Sequence, residues 1–447
     1  MRPALCGFAL LSALGLPGLA AGERGFPSTA ARILVFNDQL ATWSMSEAQY
    51  AFAARNYVGT QKVRRSEARH LRQYEPGFLV LHYRLGQALG HSYPQAGCAP
   101  GTDMLQIVEG DAWVQEWPGD AQVSESWFFH QGGERVFSCS NGHYLADLDD
   151  PGWRAWWSSE VTAQLAANED DGIFADSYSV PNYFGACDWD PCLPAVDATF
   201  EAGWAASEHA FTDFIRGELA AGGWKWIPNL GAMITSRDPS DWSNVDGAMI
   251  EGFAEWGGGN YFDPSDWALQ MNRILPLAAA GKILIAQTYP DAGDVAERMF
   301  VLGSHLLVRG ARSYVNLELG LEPEWFPEYG LYLGRATAPL PATIDAFWDA
   351  GRGVYTRAFA NGEVFVNPGA TPRSFSLGGT FARAAPSGGG FVPDSGIAPG
   401  TLGFVAVSGL SLGANEAAVI VFDPELLFDD DFEAGDTAAW SSPKRLP

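Results

Sequence analysis

Asp171-Gly172-Ile173-Phe174-Ala175-Asp176 and Asp246-Gly247-Ala248-Met249-Ile250-Glu251 are two versions of one pattern. In each, an Asp-Gly pair opens an apolar run that closes on a carboxylate. Such a run, with no polar break, predicts a short strand buried on both faces, as in parallel sheets. Parallel strands need long crossovers, usually helical. One is legible just upstream, where Trp153, Trp156, Trp157, Val161 and Leu165 recur with helical spacing up to Asn168. Asp149 or Asp150 is its expected cap, and Pro151 suits its first turn.

The same alternation extends in both directions. Upstream, strands are expected over Arg32–Asp38, Tyr57–Lys62 and Phe78–Arg84. Helices lie between them over Ser46–Arg55, with Ser44 or Ser46 as N-cap, and over Ser66–Tyr74. Downstream, a helix over Ala198–Ala221 stops at Gly222-Gly223 and leads to strands over Trp224–Asn229 and Val245–Glu251. A helix over Asp266–Ala280, a strand over Lys282–Tyr289, a helix over Asp294–Arg309 and a strand over Arg312–Leu317 complete the series. Eight strands alternating with helices over about 300 residues predict an α/β fold, a (β/α)8 TIM barrel. An open doubly wound sheet would announce itself by a glycine-rich first turn, and none follows Phe36. From Val354 onward, short alternating runs separated by Gly, Pro and Ser predict a small C-terminal antiparallel β-sandwich. The expected divisions are a signal peptide over 1–21, the barrel over 22–340, the β-sandwich over 350–425 and an acidic polar tail over 426–447.

Bulk properties narrow the function. The 447 residues carry a formal net charge of −26, which disfavours nucleic acid and anionic membranes as partners. Seventeen Trp, 14 Tyr and 27 Phe are consistent with stacking on sugar rings, though aromatics also fill cores. Arg2, the apolar stretch Ala4–Leu19 and the small residues Gly18, Ala20 and Ala21 read as a secretory signal. Pro17 interrupts that stretch, and no later segment has 18 uninterrupted apolar residues. A monomer, secreted or periplasmic in a bacterium and without an integral membrane segment, is expected. Cys6 leaves with the signal. Cys98, Cys139, Cys187 and Cys192 remain, an even number in an oxidising compartment. Their spacing does not suit a four-cysteine zinc site. Disulfides are expected, with Cys187 and Cys192 closing a small loop and Cys98 left for Cys139.

In barrel enzymes the chemistry sits at the C-terminal ends of the strands. Here those ends carry Asp38, His82, Tyr83, Arg84, Asp176, Asn229, Glu251, Gln287, Tyr289 and Asn316, with Tyr178 and Trp256 in adjacent loops. Amides, hydroxyls and aromatic faces suit a carbohydrate substrate. Glycoside hydrolysis needs two carboxyl groups, one to protonate the leaving oxygen and one that stays ionised. Asp176 is assigned as the ionised member and Glu251 as the acid. The competing reading is that a strand-end Asp only caps a helix or pairs with an Arg, and that His82 is a core residue. Asp171 and Asp246, at the opposite strand ends, are assigned structural roles. Asp263, Asp266, Asp429, Asp430 and Asp431 read as solvated surface rather than a calcium site. No GxSxG nucleophile elbow lies at a strand-to-helix turn of the barrel (the string Gly409–Gly413 falls in the C-terminal β segment), and there is no P-loop or HExxH motif. Neither metal nor cofactor is expected.

These motifs resemble a known group. The stretch 171–177 reads DGIFADS, follows a helix containing WRAWW, and is answered by DGAMIEG at 246–252. So combined, they resemble the bacterial hypothetical glycosyl hydrolase barrel families and, distantly, the endo-alpha-1,4-polygalactosaminidase family. Trp325 to Tyr329, Gly334, Tyr355 to Phe359, Asn361-Gly362 and Asn367-Pro368 are similar to the barrel-to-sandwich junction of those families. The likeness extends in pattern over about residues 30 to 425. It implies a glycoside hydrolase in which Asp176 and Glu251 are the catalytic pair. The stretch 86–150 and the Cys187–Cys192 loop depart from the plain pattern and leave the substrate open, as is the choice between retention and inversion. Two further readings stand beside it, a non-catalytic carbohydrate-binding barrel and a polysaccharide lyase or transglycosylase.

Overall fold

The computed structural model describes residues 24–90, 107–108, 112–113 and 123–424. The expected signal peptide, Cys98 and the acidic tail lie outside them. Eight parallel strands form one sheet: β1 (Val35–Gln39), β2 (Tyr57–Gln61), β3 (Leu79–Leu85), β4 (Gly172–Asp176), β5 (Lys225–Pro228), β6 (Gly247–Glu251), β7 (Ile283–Thr288) and β8 (Ser313–Leu317). Their order is β5-β4-β3-β2-β1-β8-β7-β6, so only the β5–β6 seam separates the sheet from a complete ring. A single parallel bridge, Asn229 to Met249, spans that seam. It is flanked by the bonds Leu230 N–H to Met249 O (3.0 Å) and Asp246 N–H to Trp226 O (3.2 Å). The fold is a TIM barrel.

Six α-helices pack outside: α1 (Glu47–Asn56), α2 (Arg65–Tyr74), α3 (Pro151–Asn168), α4 (Ala198–Ala220), α5 (Pro264–Ala279) and α6 (Val295–Val308). Their starts follow local chemistry. Ser46 caps α1 in a reciprocal bond pair with Gln49, and Asp150 caps α3 just ahead of Pro151. Asp263, one of the surface acids, accepts the N–H groups of Ser265 and Asp266 as the cap of α5. Between β5 and β6 the chain runs without an α-helix. No helix among the described residues is long and apolar enough to cross a membrane.

Strand periodicity sorts the barrel into layers. Phe36, Leu81, Phe174, Ile227, Met249, Ile285 and Tyr314 belong to one buried cluster, the barrel interior. Successive strand residues face opposite ways, so the residue two positions later points to the same side and one layer higher. On these seven strands that residue is Asp38, Tyr83, Asp176, Asn229, Glu251, Gln287 and Asn316. An apolar plug is thus topped by a polar layer.

Below the plug, the Asp-Gly pairs do structural work. A Cβ on Gly172 would come within 2.6 Å of Lys225 O, and one on Gly247 within 2.4 Å of Ile283 O, so only glycine lets the next strand approach. Asp171 accepts from Arg24 (3.0 Å), Arg72 (2.9 Å) and the Val80 N–H (2.9 Å). Asp246 accepts from Arg216 (2.7 Å) and the Trp226 N–H (3.0 Å). Each aspartate ties the start of the preceding strand to an arginine.

The chain between β3 and α3 adds a wall above the barrel. Ala88–Gly90, Phe137–Ser138 and His143–Leu145 join Trp189–Asp190 in a four-stranded antiparallel sheet. The Cys187–Cys192 disulfide staples the loop that supplies its last strand. Cys139 is also disulfide-bonded.

Past the barrel, β9 (Val354–Phe359), β10 (Gly362–Asn367), β11 (Arg373–Ser387), β12 (Thr401–Leu412) and β13 (Glu416–Val421) build an antiparallel sheet, with Trp348–Asp349 as its sixth strand. It curls around its own core of Val354, Phe365, Leu410, Leu412, Ala418 and Ile420, the arrangement of a small β-sandwich. Its other face lies on α6, where buried Arg357 donates to the carbonyls of Leu306, Leu307 and Arg309 at the helix end.

Candidate active site

The polar layer converges on two carboxyl groups. Tyr83 Oη donates to Asp176 Oδ2 at 2.8 Å, and the Ser177 N–H donates to Oδ1 at 2.7 Å. The Tyr289 hydroxyl donates to Glu251 Oε1. Asn229 joins the two acids: its Nδ2 donates to Asp176 Oδ1 at 2.9 Å and to Glu251 Oε2 at 2.6 Å, so those oxygens lie no more than about 5.5 Å apart. Among the described residues neither acid forms an ion pair. Burial, and next the charge of Asp176, raise the pKa of Glu251 above the ordinary glutamate value, against the lowering effect of its bonds from Tyr289 and Asn229.

A second, mixed cluster lies beside the pair. Lys62 Nζ pairs with Asp38 Oδ2 at 2.9 Å, and Gln61 Nε2 donates to the other Asp38 oxygen. Burial opposes the lysine's charge, but Asp38, Asp176 and Glu318 outweigh it and hold the Lys62 pKa above its usual value. Glu318 receives Gln287 Nε2 at 2.6 Å. Burial, then the Asp38 charge, push its pKa up to about 8, with Lys62 pulling the other way.

The expected residues divide cleanly by facing. Asp38, Tyr83, Asp176, Asn229, Glu251, Gln287 and Tyr289 meet at the mouth. Asn316 sits in the same layer, 1% exposed, with its Nδ2 at 3.5 Å from Gln287 Oε1. Trp256 is half exposed and lies over Gly252, where an added Cβ would come within 2.8 Å of its ring. Three expectations need correction. His82 and Arg84 flank Tyr83 in sequence and therefore face the other way, into the helix layer. Both reach Gln164 of α3, at 2.9 Å, and His82 also meets buried Asp170 at 3.3 Å. Tyr178 is fully buried because the chain turns through a left-handed residue at Ser177 (φ 54°). Its hydroxyl donates to Glu208 O of α4 at 2.7 Å.

Gln61, Lys62 and Glu318 are site residues that strand-end reading missed. Glu318 had a signal, since Tyr314, Asn316 and Glu318 share one face by the period of two. Lys62 closes the expected strand Tyr57–Lys62 and so had a strand-end signal, but it reaches the cluster from a left-handed position just past β2 (φ 60°), which the sequence does not announce. Among the described residues no three or more His, Cys, Asp or Glu side chains gather as a metal site.

Comparison with known proteins follows from this geometry. The solved structures it resembles include the noncanonic maltogenic alpha-amylase AmyB of Thermotoga neapolitana, with 9% identity over 87% of this chain and 98% of that one (TM-score 0.42). Another is a 4-O-alpha-L-rhamnosyl-beta-D-glucuronidase of Fusarium oxysporum 12S, with 12% identity over 88% and 97% (TM-score 0.34). A third is SrfJ of Salmonella typhimurium, with 12% identity over 88% and 90% (TM-score 0.40). No curated protein matches the chain. A family model described as hypothetical glycosyl hydrolase family 15 matches residues 72–363, well over half the chain and including both carboxylates. The chain belongs to hypothetical glycosyl hydrolase family 15, and its barrel is that of a carbohydrate-active enzyme.

Proposed function

We propose that the protein is an exported glycoside hydrolase that cleaves a polysaccharide or oligosaccharide by double displacement, with Asp176 as nucleophile and Glu251 as acid/base. The observation that carries this is the shared Asn229 amide, which holds two oxygens of the pair within about 5.5 Å of one another. Two acids close enough to share one amide fit the close carboxyl spacing of a covalent glycosyl intermediate, about 5–5.5 Å, better than the about 6.5–9.5 Å that inverting enzymes need to admit a water. Asp176 attacks the anomeric carbon as the bond to the leaving oxygen breaks, and Glu251 gives that oxygen its proton. Glu251 then takes a proton from water, whose oxygen attacks the same carbon and releases Asp176. The raised pKa of Glu251 supports its role as the proton donor. Tyr289 Oη can accept as well as donate, so Glu251 keeps a partner in either protonation state. Export is supported by the reading of residues 1–21 and by the Cys187–Cys192 disulfide.

Digestion of a polysaccharide panel, with proton NMR of the first-formed products, tests this. Release of a product that keeps the anomeric configuration, and its loss in Asp176→Asn and Glu251→Gln, is the expected result. Full turnover in either variant, or an inverted first product, would overturn the mechanism.

A further inference from the structure

Beside Asp176, between the added wall and the disulfide loop, lies a cavity of about 260 Å³ that the catalytic pair does not use. Its lining includes Ser138, Ser140, His143, Ser177, Phe184 and Trp189. Three observations mark it as a built site. His143 is only 3% exposed, yet its ring makes no hydrogen bond among the described residues. Neither ring nitrogen is sealed from solvent, so a ligand hydroxyl entering the cavity can meet it in place of water. Burial drives its pKa down to about 4, against the raising effect of Asp176, so near neutral pH the ring is an uncharged donor and acceptor. Second, the walls are held rigidly. Trp189 packs on His143 with ring centres 5.5 Å apart, and its indole N–H is taken by Pro181 O at 3.1 Å. The disulfide closes the loop around that tryptophan. Third, Phe184 is 45% exposed while lining the cavity, which leaves an apolar ring open to a ligand.

The geometry points to this cavity as a glycan subsite that receives one uncharged pyranose residue next to the scissile bond. The inference rests on the hydrolase reading for the orientation of the chain, not for the existence of the site. His143 and the hydroxyls of Ser140 and Ser177 meet sugar hydroxyls, and Phe184 and Trp189 supply apolar faces for the ring C–H surface. The charge pattern sets the class. Among the described residues no Lys or Arg lines the cavity, whereas Asp188 does and Asp176 adjoins it. A uronic acid or sulfated sugar would meet repulsion with no counter-charge.

Because Trp189 lines the cavity, its fluorescence can report occupancy. The full-length protein would be titrated with glucose, galactose, N-acetylglucosamine and glucuronate, in parallel with the variants His143→Ala and Phe184→Ala. The expected result is a saturable change with at least one of the uncharged sugars and none with glucuronate at the same concentration. Affinity should fall about tenfold or more in both variants, with wild-type circular dichroism. Phe184 is exposed, so its variant keeps the test intact even if His143→Ala misfolds. No saturable response to any uncharged sugar, equal binding of glucuronate, or undiminished binding in Phe184→Ala would overturn the proposal. Binding is read without turnover. Saturable binding with no hydrolysis would sink the hydrolase reading and leave the subsite standing, and hydrolysis with no such binding would do the reverse.

Discussion

At the lower end of β4, Asp171 is met by two arginines and a backbone N–H. At the upper end of the same strand, Asp176 is met by a tyrosine hydroxyl, an amide and a backbone N–H, with no ion pair among the described residues. Strand β6 repeats the contrast, with Arg216 on Asp246 below and Asn229 and Tyr289 on Glu251 above. The same side-chain chemistry is thus neutralised at one end of the barrel and left without an ion pair, among the described residues, at the other. Arginine consumes a carboxylate's charge and fixes its geometry for stability. Neutral donors orient a carboxylate but leave its charge free to act on a substrate. Two unneutralised carboxylates facing one another also repel, as the raised pKa of Glu251 records. Stability given up at the top is the usual mark of a reacting site.

The contrast is broken most severely by the upper pair. Asp176→Asn and Glu251→Gln should each lower kcat/KM by about a thousandfold or more, while the melting temperature holds or rises because a repulsion is removed. A clear fall in melting temperature would mean that the upper carboxylates are structural after all. Next comes Asp171→Ala. It removes the carboxylate that pairs with the charges of Arg24 and Arg72 in the interior and should cost about 3–5 kcal/mol, measured by urea unfolding, with turnover per folded molecule within a few-fold of wild type. Asp246→Asn should cost only about 1 kcal/mol, since Arg216 is more than a third exposed and solvent screens the pair. A different kind of effect is read in pH. Glu318 has its pKa raised to about 8, so the folded state keeps a proton that the unfolded chain gives up. Its contribution is fully present below about pH 4.5 and is lost as pH rises toward 8. Glu318→Gln should flatten that decline in thermal melts taken between pH 5 and 9, and an unchanged slope would contradict the assignment.

The fold was legible because buried parallel strands advertise themselves as apolar runs, and their helices as capped, periodic segments. The catalytic candidates were legible for a narrower reason. Each follows an interior apolar residue by two positions, as Asp176 follows Phe174 and Glu251 follows Met249. Where that period was ignored, the reading failed. His82, Tyr83 and Arg84 cannot all face the barrel interior, and only Tyr83 does. Glu318 lay one more step up the same face as Asn316 and was passed over because β8 had ended. For Tyr178 and Lys62 the position was legible, beside or at an expected strand end, but the facing was not. Each depends on a left-handed turn, at Ser177 and at Lys62 itself, formed by residues without the glycine that would signal it.

The incomplete β5–β6 seam makes Asn229 a gauge block. Its main chain contributes the one bridge across the gap, and its side chain spans the two acids directly above. The clearance between Asp176 and Glu251 is therefore set where the hoop is clasped rather than along its continuous circumference. Any breathing of the clasp would widen both together. Amide exchange at Leu230, whose N–H crosses the gap, would then serve as a calliper on the spacing of the two carboxyl groups.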